Sequence, residues 1–183
     1  MKYQESPERE IGIKFYAVPL GVNFKPKNGH ILISDENNNR AIEVTHTTPS
    51  SIVATFTAHG TTSGSAFASR LSNGHTLIAD SNNACNVEVD SHDNPVRQIF
   101  TNNRAGSNPN PLPTRAVRLH NGDTLISDQF NDQVIEITTT NNPVIVARYG
   151  TINTPGFSLT NASVMNAPYS AYVIGDYTGI TRP

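Results

Sequence analysis

Apolar residues along this chain come in runs of only a few positions, separated by clusters rich in Asn, Asp, Gly and Thr. One run returns three times in nearly the same words. Asn28-Gly29-His30-Ile31-Leu32-Ile33-Ser34-Asp35 is followed by Asn73-Gly74-His75-Thr76-Leu77-Ile78-Ala79-Asp80 and Asn121-Gly122-Asp123-Thr124-Leu125-Ile126-Ser127-Asp128. The three aspartates are 45 and 48 residues apart, and a degraded echo, Tyr172-Val173-Ile174-Gly175-Asp176, falls a further 48 residues on. Each copy offers four apolar runs, which in the second are Phe67–Leu71, Thr76–Ala79, Asn86–Val89 and Val96–Phe100. Four short strands per repeat of this period predict β-propeller blades. No stretch sustains apolar spacing at the helical period, so no long helix is expected.

The repeat is explicit about local structure. Asn-Gly between two apolar runs predicts a tight type I′ hairpin joining the first and second strands of each blade. The second strand is apolar at consecutive positions, as expected of a strand covered on both faces by neighbouring blades. Asp and Asn recur three apart in the turn that follows: Asp35 and Asn38, Asp80 and Asn83, Asp128 and Asn131. Asp accepts backbone N–H groups in such turns, and Asn tolerates a left-handed conformation. A glutamate stands eight residues after each aspartate, at Glu43, Glu88 and Glu136. A carboxylate present in every copy is expected to hold a structural hydrogen bond or ion pair, since catalytic groups occur once per ring.

With these residues in hand, the first copy resembles the NHL repeat, through Pro19, Gly21, Val22, Asn28, Gly29, Leu32, Ile33, Asp35, Asn38, Arg40, Ile42 and Val44. The later copies keep most of this pattern but carry Cys85 and Gln133 where the first has Arg40. The resemblance implies an all-β propeller of four-stranded antiparallel blades, usually six to a ring. Three blades are complete, at about 17–59, 66–101 and 114–150, with a partial fourth at 160–183 and a lead-in at 1–10. Its first strand is expected near Asn161–Met165 and its second near Tyr169–Ile174, while Ile11–Tyr16 has the character of an outer strand. The expected architecture is therefore an open arc or a fragment of a six-bladed ring, and unpaired edges make self-association an expectation too. Members of this family serve mostly as binding scaffolds, whereas related propellers include lactonases and lyases with a divalent metal in the channel.

Composition narrows the function classes. With 13 Lys+Arg against 15 Asp+Glu, a net charge of −2 offers no electrostatic footprint for nucleic acid. No apolar run is long enough for a membrane helix, and the charged first ten residues lack the core of a secretory signal. Cys85 stands alone, inside a strand pattern, and reads as a buried, inert thiol. His30, His75 and His120 read as surface turn residues on the face opposite the aspartates. The expected contact surface is the loop face carrying Asp35, Asn38, Asp80, Asn83, Asn102, Arg104, Asp128, Asn131 and Asp176, presented to a protein, peptide or glycan. No cofactor is called for. An Asp/Asn ring does offer Ca²⁺ its oxygen ligands, against the alternative that each pair caps its own turn. The metal-dependent lyase or hydrolase reading is weakened by Val22, Ser69 and Val117, poor ligands where related enzymes place channel residues.

Overall fold

A computed structural model describes residues 29–176. Expectations for the lead-in, the Ile11–Tyr16 strand and the innermost strand of the first repeat, with Val22, lie outside the described residues. Among the described residues, eleven strands and three short 3-10 turns make three separate antiparallel sheets. The first sheet orders β1 (Ile31–Asp35), β2 (Arg40–Val44) and β3 (Ile52–Phe56) side by side. The second is β4 (Ser65–Arg70), β5 (Thr76–Asp80), β6 (Cys85–Val89) and β7 (Pro95–Phe100). The third repeats it as β8 (Pro113–Arg118), β9 (Thr124–Asp128), β10 (Gln133–Ile137) and β11 (Ile145–Gly150). No ladder joins one sheet to the next: each four-strand repeat forms its own sheet, and sheets meet face to face.

The paired apolar residues of each repeat explain the stacking. Successive side chains on a strand point to opposite faces. Ile78 therefore joins Ala41, Phe56 and Val87 between the first and second sheets, while Leu77 joins Ala116, Ile126 and Ile135 between the second and third. Both β5 and β9 are buried along their whole length, as the run of apolar positions requires. β1 differs: Ile31 is 43% and Ile33 39% exposed, whereas Ile78 and Ile126, at the position of Ile33, are fully buried.

Two turn expectations are corrected. The Asn-Gly hairpins are not type I′, because only the glycine is left-handed: Gly74 has φ +89° and Gly122 φ +92°, while Asn73 and Asn121 are not among the positive-φ residues. Leu71 N–H donates to the His75 carbonyl and Gly74 N–H to that of Leu71, giving a type I turn followed by a left-handed glycine. The reason lies in the Asn side chain, whose Oδ1 accepts the N–H two residues on at His75 (3.0 Å) and Asp123 (2.9 Å). In the turn after each aspartate the left-handed residue is not the Asn three on but the next one: Asn39, Ala84 and Asp132, at φ +54° to +56°.

The fourth repeat also runs in a different register from the expected one. Neither 161–165 nor 169–174 forms a strand, and the sole pairing there is an isolated bridge between Pro155 and Met165. The segment nonetheless follows the path of an innermost strand across the third sheet. Ala167 takes the left-handed conformation of Gly64 and Leu112 at the entries to β4 and β8. Ala171 and Met165 then pack on Val117, Leu125 and Val134, and Gly175, at φ +90°, sits in a turn closed by Asp176 N–H on the Val173 carbonyl. The Gly-Asp pair of this echo thus sits in a turn rather than at a strand end.

Candidate functional site

The β5–β6 and β9–β10 turns and the inter-sheet crossovers 57–64, 101–112 and 151–166 gather at one end of the sheets. The alternation of strand direction dictates this. At that end each aspartate is consumed by its own repeat. Asp35 accepts Asn38 Nδ2 at 2.8 Å and Arg40 Nε at 2.7 Å. Asp80 accepts Asn83 Nδ2 at 2.9 Å, the Cys85 thiol at 3.7 Å and the Ser63 N–H at 2.6 Å. Asp128 accepts Asn131 Nδ2 at 2.9 Å and Gln133 Nε2 at 2.8 Å. The Arg, Cys and Gln at this variable position are therefore equivalent as donors.

Each later asparagine also ties its turn to the preceding crossover, Asn83 through the Thr61 carbonyl and Asn131 through that of Thr101. Hydrogen bonds from Arg40 and Asn38 hold the Asp35 carboxyl below its ordinary value, while burial pushes Asp80 and Asp128 above theirs. Burial, aided by the Asp80 charge, drives the Cys85 thiol up to about 12, an unreactive group at neutral pH.

Asp176 does not belong to this set. Its Oδ2 accepts the His120 N–H at 2.7 Å, which places it at the opposite, hairpin end. Asn102 is exposed, with a long bond (3.4 Å) to the Pro109 carbonyl. Arg104 is not a free contact group; its guanidinium turns inward to within 4.0 Å of Asp128. Gly106 lies beside Ile152, so the two longer crossovers touch.

At the hairpin end a second device links neighbouring sheets. His75 Nδ1 and Glu88 Oε1 are 2.7 Å apart, and Arg118 from the end of β8 donates to Glu88 Oε2 at 2.8 Å. The same arrangement joins His30, Glu43 and Arg70, at 2.7 and 2.6 Å. His30 and His75 are thus hydrogen-bonded to the repeat glutamates rather than solvated turn residues. Burial alone would raise the Glu88 carboxyl, but His75 and Arg118 outweigh it and hold it low. The sequence reading missed Arg70 and Arg118; a basic residue four positions before each Asn-Gly glycine was the signal. In the third sheet Glu136 accepts Asn121 Nδ2 at 3.0 Å instead, and Asp123 stands in the place of the histidine.

No protein-family model matches the chain, and no characterised protein matches it by sequence. Solved structures do. A virginiamycin B lyase from Staphylococcus aureus superposes with TM-score 0.52 at 16% identity, over 69% of this chain and 40% of that one. A streptogramin B lyase gives 0.51 at 18% identity, over 70% and 39%. The chain is a partial β-propeller. It spans about two fifths of the length of the structures it matches. At this identity the likeness carries the propeller fold, not the NHL assignment or the neighbours' activity.

Proposed function

We propose that this propeller is a binding scaffold that engages a protein, peptide or glycan through the crossover end. One observation carries the reading: the polar groups recurring in every repeat are spent on internal bonds, so the groups left for recognition are those of the unequal crossovers. In the 151–166 crossover, Gly156 N–H donates to the Met165 carbonyl and Ser158 Oγ accepts the N–H groups of Thr160 and Asn161. This frame holds Phe157 (83% exposed) and Leu159 (88%) out to solvent. Exposed apolar side chains on a hydrogen-bonded loop suit an interface anchor, because that backbone need not be ordered on binding.

Peptide and glycan arrays probed with the purified protein test this. A ligand lost with the doubly substituted F157S/L159S protein supports the reading, since neither side chain supports the core. Array hits indifferent to those changes would overturn it. The structural neighbours motivate a second reading, lyase or hydrolase chemistry in the channel. The described residues bring no three His, Cys, Asp or Glu side chains into a metal-holding group, so such a site would draw on residues beyond them. Turnover of a streptogramin B, lost on chelation and restored by added divalent metal, would favour that reading.

A further inference from the structure

Asp128 differs from its counterparts in one atom. Both carboxylate oxygens of Asp35 and Asp80 accept hydrogen bonds, whereas Asp128 Oδ1 accepts none although the residue is completely buried. The sequence supplies the reason. Asn82 N–H donates to the Ser63 carbonyl in the second sheet and Phe130 N–H to the Pro111 carbonyl in the third, so Ser63 and Pro111 are equivalent. Ser63 N–H satisfies Asp80 Oδ1. A proline has no N–H to offer.

Two further buried atoms without partners belong to side chains that meet at this carboxylate. Gln133 donates through Nε2 to Asp128 Oδ2, leaving its own Oε1 without a donor. Arg104 Nη1, 4.0 Å from Asp128 Oδ2, has no acceptor. The Thr101 hydroxyl is also near but directs a 3.3 Å bond to the Ala84 carbonyl; turning it to Asp128 would leave Gln133 and Arg104 unchanged. A single partner for all three atoms would have to donate to two oxygens and accept from one guanidinium. A cation is repelled by Arg104 and an anion by Asp128, while a small neutral molecule with both capacities fits.

We propose that one buried water molecule joins Arg104 to Asp128 and Gln133, and that it pins the 101–112 crossover onto the third sheet. A buried polar cluster of this kind is where internal water is retained. The inference is independent of what the crossover end binds.

A high-resolution crystal structure of the full chain, with amide hydrogen exchange on the same protein, tests it. The expected result is a discrete water within hydrogen-bond distance of Asp128 Oδ1 and Arg104 Nη1. Pro111→Ser, which restores the amide, should displace that water and leave the fold intact. Arg104→Met should speed exchange of amides in 101–112 by tenfold or more relative to those of β9. Direct pairing of Arg104 or Thr101 with Oδ1, a metal ion in the density, or unchanged exchange in the Arg104→Met protein would overturn the proposal.

Discussion

The residue most informative about this chain is the one five positions after each repeat aspartate. Arg40, Cys85 and Gln133 share no charge, size or hydropathy, yet all three donate to the carboxylate before them. That equivalence was invisible in the sequence, where the change from Arg to Cys looks like a lost feature. The role of Asp and Asn as turn-makers was legible, because their spacing is fixed by the turn itself. Cys85 should resist a thiol reagent in native protein and react fully in denaturant. Rapid native labelling would show that Asp80 and the strand do not enclose it.

Glu88 offers a titration test. Its folded-state pKa lies below the ordinary value near 4.5, so its contribution is complete above that value and lost as pH falls through the folded pKa. Glu88→Gln should therefore lower Tm at pH 7, and the gap should narrow only as pH falls below the ordinary value and through the lowered folded-state pKa. A gap independent of pH would mean that the His75–Glu88–Arg118 bridge contributes through packing rather than charge.

Among the elements, strand identity was readable and turn type was not. Consecutive apolar residues in β5 and β9 announced two covered faces, and Leu77 and Ile78 fill one each. Asn-Gly suggested a two-residue turn, but the Asn side chain bonds forward and leaves the left-handed position to glycine alone. The fourth repeat misled for a related reason: Ile-Gly-Asp resembles the end of a second strand, and only the packing of Met165 and Ala171 on the Val117 and Leu125 cluster exposes the shift.

Two glycines separate conformational from steric demand. Gly74 has open space where a Cβ would stand, so Gly74→Ala should cost about 1–2 kcal/mol for the left-handed backbone alone. At Gly150 a Cβ would lie 2.1 Å from the Asp132 carbonyl oxygen, and Gly150→Ala should cost distinctly more. Urea unfolding of the two variants gives the comparison, and equal losses would refute the close approach.

Taken as a whole, the molecule is a stack of sheets whose cohesion resides in the layers between them. Ile126→Ala, in the layer between the second and third sheets, should cost about 2–5 kcal/mol. Ile33→Ala, at the same repeat position on the first sheet, should cost less than half as much, because that side chain is 39% exposed. The crossovers carry the greatest sequence difference between repeats, and there the repeat logic gives no guidance. Arg104 and Phe157 have no counterparts from which to infer a role.

The most direct test of the stacked-sheet account is methyl-resolved NMR of the full chain. The account predicts contacts from Leu77 and Ile99 to Ile126 and Ile135, with no backbone pairing between β7 and β8. Cross-strand backbone contacts linking β7 to β8 in one continuous sheet would contradict it.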